Sequence, residues 1–159
     1  MLTAPVRAQG RVPMVDSAST ERCAPAGSAM CVGIELVATR DSLDRLLARH
    51  HARLVPLLDS AFATDEQWRW RLRGAVTGLD SAWRAWRAKD CELAGAMTGA
   101  GGSWPSTWAV SCEVTETRRR VTVVRAAERC LRTAVRARDP DAGADACLTR
   151  LRLLRASPP

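Results

Sequence analysis

The sequence has few residues of several common types, and the scarcity of histidine bears on metal binding. It has no tyrosine, one phenylalanine and two histidines, and Lys89 is the only lysine among 24 basic residues. His50 and His51 are adjacent, so on a helix they point in different directions and cannot clamp a metal as an i, i+4 pair. No cysteine stands in a Cys-x-x-Cys pair, and no histidine lies at a zinc-finger spacing from one. These absences argue against a metal site, and His50 is interpreted as a core residue.

Further absences argue against catalysis and against a membrane span. The sequence shows no Ser-His-Asp set and no paired carboxylates in an apolar setting, and the Gly-Gly-Ser at 101–103 does not lead into a Gly-Lys-Thr helix. No run of residues is long and apolar enough to form a transmembrane segment. We therefore predict a protein that is not an enzyme and has no cofactor.

Six cysteines are present, and this even number without a metal pattern indicates disulfides and an oxidising compartment. The first twenty residues contain no apolar run of seven, but residues 4–9 could be the tail of a signal peptide. Residues 1–22 are therefore predicted to be a flexible tail, and the protein is predicted to be periplasmic or secreted.

The apolar residues recur at helical spacing, which predicts an all-α fold. A first helix is expected over 31–60, with a kink or break at Pro56. Thr64 and Gln67 form a capping box for a second helix over 64–97, whose apolar stripe includes Trp83 and Trp86. A glycine-rich loop at 98–108 precedes a third helix over 109–137 and a fourth over 144–155. Short connections favour an antiparallel bundle of about four helices.

The cysteine positions on these helices favour local disulfides. Six cysteines allow 15 pairings. The pairing Cys23–Cys31, Cys91–Cys112 and Cys130–Cys147 closes only short loops, and antiparallel helices around the turn after 137 would bring the last pair face to face. A crossed bridge from the first helix to the second or third remains the rival for the first four cysteines.

The order of several motifs resembles the lysozyme-inhibitor LprI-like family of small exported bacterial proteins. The resemblance covers about residues 23–123; beyond the first four cysteines, it rests on Leu43, Asp44, Trp83, Trp86, Arg87, Gly101, Gly102, Ser103, Thr117 and Arg120. This chain has Asp44 where the family usually has Asn. The resemblance implies an LprI-like helical domain over 23–125. Residues 126–155 are then a helical hairpin extension that we expect to pack on the same domain.

Two functions follow as hypotheses. The resemblance implies a lysozyme inhibitor. Ser103 or a nearby arginine would meet the catalytic carboxylates of the lysozyme. The candidate contact is the disulfide-constrained loop, with Gly101, Gly102, Ser103, Trp104 and Trp108. The net charge of +7 opposes this, because animal lysozymes are also basic. The alternative is a periplasmic envelope protein that binds an anionic polymer or membrane surface through the arginine-rich third helix, although such a face is often only solvated. Disulfides and predicted export argue against nucleic acid as a partner.

Overall fold

The computed structural model describes residues 23, 27–63, 65–137 and 143–152. This part of the chain is all-α, with four helices: α1 (Ala29–Ala61), α2 (Glu66–Ala96), α3 (Trp104–Ala137) and α4 (Ala144–Thr149). Helix α4 ends at Thr149, earlier than predicted, because Leu151 and Arg152 bond back to the carbonyls of Leu148 and Thr149 in turns. The predicted tail at 1–22 and the last predicted helical residues, 153–155, lie outside the described residues. None of the described helices is long and apolar enough to cross a membrane.

Helix α1 runs through Pro56 without the expected break. Proline removes one backbone N–H and its ring crowds the preceding turn, at a cost of about 3 kcal/mol. Leu54 and Leu58 on either side are fully buried, and burial of a leucine stabilises by about 1.5–3 kcal/mol. Packing on both sides of the proline therefore holds the helix together where the local sequence predicts its interruption.

The starts of α2 and α3 also differ from expectation. The N-cap of α2 is Asp65, whose carboxylate accepts a hydrogen bond of 2.8 Å from the N–H of Trp68, and the expected cap Thr64 lies outside the described residues. Helix α3 begins at Trp104, five residues earlier than predicted, and the carbonyl of Ser103 accepts its first backbone bond from Thr107 at 3.1 Å. The connecting loop is thus 97–103, and both Trp104 and Trp108 belong to α3.

Contacts at the helix ends give the topology. The Thr107 hydroxyl donates to the carbonyl of Ala29 at 2.8 Å, so α1 and α3 begin side by side and run in the same direction. A disulfide joins Cys91 near the end of α2 to Cys112 near the start of α3, so α2 runs antiparallel to both. The apolar core lies among all four helices, and its fully buried members include Leu47, Leu54, Leu58, Val124 and Leu131.

The six cysteines form three disulfides, Cys23–Cys31, Cys91–Cys112 and Cys130–Cys147. This is the local pairing that the sequence favours, and no bridge crosses from α1 to α2 or α3. The third bridge ties α4 back onto α3.

Candidate functional site

A buried polar cluster joins α1, α2 and α3 at mid-length. The Arg87 guanidinium on α2 donates to both carboxylate oxygens of Asp44 on α1, at 2.8 and 3.2 Å, and to the hydroxyl of Thr117 on α3 at 2.6 Å. Arg87 is 8% exposed and Thr117 is fully buried. Three residues that carry the family resemblance, distant in sequence, therefore meet in one contact, which we call the waist of the bundle.

Trp83 and Arg120 extend the waist toward α4. The guanidinium carbons of Arg87 and Arg120 lie 5.0 and 5.7 Å from the centre of the Trp83 ring, within cation–π distance. Arg120 also donates to the carbonyl of Leu151 at 2.8 Å. Burial lowers the pKa of Arg120, against the opposing charge of Asp80. These groups are enclosed, so the waist is a structural element that fixes the helix register.

Two further residues of the family resemblance lie outside the waist. Trp86 is 46% exposed, although the apolar stripe predicts it in the core, and Leu43 is only partly buried. The inward position four residues after Trp83 is held instead by Arg87, whose two terminal nitrogens bind Asp44 and Thr117 while its buried Nε has no hydrogen-bond partner among the described residues.

Both histidines contact carboxylates of neighbouring helices. His50 is buried, as its interpretation as a core residue requires, and its Nδ1 lies 2.5 Å from the carboxylate of Glu128, which also binds Arg132. His51 lies 3.0 Å from Asp80. Burial opposes ionisation of Asp80, but hydrogen bonds from His51 and Arg84 outweigh it and lower the pKa of that carboxyl to about 2. Among the described residues, Asp90, Cys91 and Cys112 are the only group of three potential metal ligands close together, but their two sulfurs form a disulfide.

The base of the glycine-rich loop is held by two contacts between α2 and α3. Gly95 of α2 packs so closely on α3 that an added Cβ would overlap the carbonyl oxygen of Pro105 and lie 3.1 Å from the Cβ of Ala109. One turn earlier, Cys91 is bonded to Cys112. Gly99 and Gly102 adopt positive φ of 61° and 63°, which other residues rarely adopt. The loop is therefore exposed at its tip and fixed at its base.

Large apolar side chains surround this loop on the protein surface. Trp104 and Trp108 are 40% and 53% exposed, one turn apart on α3. Met97, at the start of the loop, is 77% exposed, and Met30 at the start of α1 is 61% exposed. We call the loop 97–103 together with these four residues the loop end. All five predicted loop residues thus lie at this end of the bundle, together with the two methionines, which no sequence pattern singles out.

Charge is divided along the bundle, and the waist marks the boundary. The described residues on the loop side, 27–44 and 87–117, hold seven carboxylates and three cations, a net charge of −4. The described residues on the other side, 45–63, 65–86, 118–137 and 143–152, hold six carboxylates and sixteen cations, a net charge of +10. We call these the acidic half and the basic half. The loop end itself is neutral, because residues 93–112 contain no ionisable side chain other than the bonded Cys112.

The segment around the loop supplies no arginine of its own. No arginine or lysine occurs between residues 90 and 117. An arginine that contacts the catalytic acids of a lysozyme would therefore have to come from another part of the chain, and this suggestion stays a prediction. Ser103 is exposed and directly precedes α3.

Comparison with known proteins gives no match to a family model, to a curated protein or to a solved structure.

Proposed function

We propose that this chain is an exported, disulfide-bonded binding protein that inhibits a basic lysozyme through its loop end. The observation that carries the proposal is the pair of exposed tryptophans, Trp104 and Trp108, beside a loop whose base is crosslinked. Tryptophan is enriched among the residues that dominate binding energy. A loop that is already fixed loses little conformational entropy when it binds.

The division of charge removes the main objection to this proposal. A partner at the loop end meets the acidic half, since Trp104 and Arg136 are separated by 32 residues of one helix, or about 48 Å. At physiological salt, charges are screened over about 8 Å. A basic lysozyme that approaches the loop end therefore experiences attraction, despite the net charge of +7.

The neutral loop end also suits the cleft of a lysozyme. Two carboxylates lie in such a cleft, and an inhibitor with carboxylates at its tip would be repelled there. Here the acidic residues nearest in sequence to the loop, Asp90, Glu92 and Glu113, lie outside the uncharged segment 93–112. In the proposed complex they face the basic rim of the lysozyme, while the tryptophans and the hydroxyl of Ser103 enter the cleft.

The test is a lytic assay with bacterial cell walls and a basic lysozyme, with the inhibitor titrated. We expect the unaltered protein to inhibit, and Trp104→Ala/Trp108→Ala to weaken inhibition at least about tenfold, because each anchor contributes about 2 kcal/mol. Trp86→Ala is the matched control, since Trp86 is similarly exposed but lies on α2 in the basic half.

Two results would contradict the proposal. The first is an unaltered protein that fails to inhibit any lysozyme tested. The second is a Trp86→Ala variant that weakens inhibition as much as the double variant does, since this would place the contact elsewhere.

A further inference from the structure

A straight row of arginines lies on the outer face of α3 in the basic half. Arg118, Arg125, Arg129 and Arg136 follow one another at intervals of seven, four and seven residues. The whole row spans 18 residues, which is five full turns and about 27 Å of helix. All four are exposed, and among the described residues none has a carboxylate within 4.0 Å.

This lack of partners sets the row apart from its immediate neighbours. On the same helix, Arg119 pairs with Glu116 at 2.5 Å, and Arg132 pairs with Glu128. Four positive charges on one line without neutralising carboxylates create a strong local positive potential.

A fifth arginine, directly after α4, lies beside this row. Arg150 and Arg129 both line a groove of about 480 Å³ between α3 and the α4 segment, which the Cys130–Cys147 disulfide also lines. Because the disulfide fixes α4 on α3, Arg150 is held next to the row. Thr133 lines the same groove and supplies an exposed hydroxyl.

The residues between the arginines indicate which anionic partner fits. Thr122, Ala126 and Thr133 lie between or beside them, and none is a large apolar side chain. A helix that inserts into a bilayer surface carries tryptophan, phenylalanine or leucine beside its basic residues. Arginine binds phosphate oxygens in a bidentate fork. A linear, phosphate-bearing polymer therefore matches this face better than a bilayer.

We propose that the arginine row of α3, together with Arg150, binds a linear phosphate polymer of the extracytoplasmic space. The polymer lies along α3 and contacts the arginines in turn. This site is separate from the loop end, so the same molecule can bind the polymer and a lysozyme.

The experiment measures binding of the full chain to long-chain inorganic polyphosphate at several salt concentrations. Arg125→Gln/Arg129→Gln/Arg136→Gln removes three charges from the row. We expect at least a tenfold loss of affinity, and a decrease of about 2–3 in the slope of log affinity against log salt, because about one counterion is released per phosphate contact.

A matched control removes the same charge elsewhere in the basic half. Arg45, Arg49 and Arg53 are exposed on the outer face of α1 and have no ion-pair partner among the described residues. The Arg45→Gln/Arg49→Gln/Arg53→Gln variant should retain most of the affinity and nearly all of the salt slope. Circular dichroism establishes that both variants are folded, and both should inhibit lysozyme as the unaltered protein does if the loop end acts separately.

Three outcomes would overturn this inference. Equal losses in the two triple variants would show that net charge alone attracts the polymer. Absence of polyphosphate binding near physiological salt would remove the site. Binding to phosphatidylglycerol vesicles without binding to polyphosphate would assign the face to a membrane surface instead.

Discussion

Removal of the Asp44 carboxylate should destabilise the bundle more than removal of any exposed acid. Asp44 binds both terminal nitrogens of Arg87, whose side chain is 9% exposed. In the Asp44→Ala variant, Arg87 keeps only its bond to Thr117 and its contact with Trp83. The guanidinium then remains enclosed with its main counter-charge gone.

The expected loss lies between two limits. Breaking a fully buried ion pair by removal of one partner costs about 3–5 kcal/mol, whereas an exposed pair contributes about 0–1 kcal/mol. The side chain of Asp44 is 23% exposed, so water partly compensates for its loss. We therefore expect the free energy of unfolding to fall by about 2–3 kcal/mol, which corresponds to a decrease of about 8 °C in Tm.

Urea unfolding followed by circular dichroism, with the disulfides intact, measures this change. The matched control is Asp41→Ala on the same helix, which breaks a pair with Arg40 whose side chains are 27% and 46% exposed, and it should lose less than about 1 kcal/mol. In the Asp44→Ala/Arg87→Met variant the unpaired charge is removed, so part of the lost stability should return. Equal losses for Asp44→Ala and Asp41→Ala would refute the structural role of the waist.

Three further predictions concern other parts of the bundle. Gly95→Ala should lower the free energy of unfolding because its Cβ would overlap the backbone of α3. Gly78→Ala, which meets open space, should raise the free energy of unfolding by up to about 1 kcal/mol. A Gly95→Ala variant that is at least as stable as the unaltered protein would contradict the close approach of the helices. The ionised carboxylate of Asp80 should stabilise the fold above its ordinary pKa of 3.8, and this contribution should disappear as the pH falls through its pKa of about 2 in the folded protein. In urea titrations between pH 4 and 2, the Asp80→Asn variant should therefore lose less stability than the unaltered protein. Cys130→Ala/Cys147→Ala should cost about 3 kcal/mol from the loss of a short crosslinked loop, and thermal unfolding at the unaltered Tm would count against it.

The helical class and the core positions of α2 follow from the spacing of apolar residues, but the position of Arg87 does not. Val76 and Trp83 are buried as that spacing predicts. Trp86 fits the same stripe and is nevertheless exposed, because periodicity selects a broad face and cannot place its centre. Arg87 occupies the interior because the carboxylate of Asp44 balances its charge and the hydroxyl of Thr117 accepts a further hydrogen bond. A buried arginine depends on partners from other helices, and a single helix does not reveal them.

The start of α3 carried a local signal that composition obscured. Glycine, serine and proline predict a loop over 98–108, yet Pro105 falls in the first turn of the helix. Proline is common at this position, since its fixed φ suits a helix and its missing N–H needs no partner there. With Pro105 in the first turn, Trp104 belongs to the helix, and the two exposed tryptophans, Trp104 and Trp108, lie one turn apart.

The charge division is a property of the topology rather than of any one segment. Helices α1 and α3 each change from acidic to basic along their length, and α2 is basic at its start and neutral at its end, where two carboxylates balance two cations. Because α2 runs in the opposite direction, its neutral end joins the acidic ends of the other two. The formal net charge of +7 does not show this arrangement. The repulsion of a basic partner that this net charge predicts therefore applies to the chain as a whole and not to the loop end.

The disulfides lie at the two surfaces for which binding is proposed, and not at the waist. Cys91–Cys112 stands beneath the loop end, and Cys130–Cys147 lines the groove beside Arg150. The middle of the bundle is held instead by buried side chains, including Leu47 and the partners of Arg87. Cys91 and Cys147 are themselves buried, so each of these two bridges fixes two helices directly behind a proposed binding surface near an end of the bundle. Binding surfaces at these ends would otherwise lose conformational entropy on binding, so crosslinks beneath them favour affinity as well as stability.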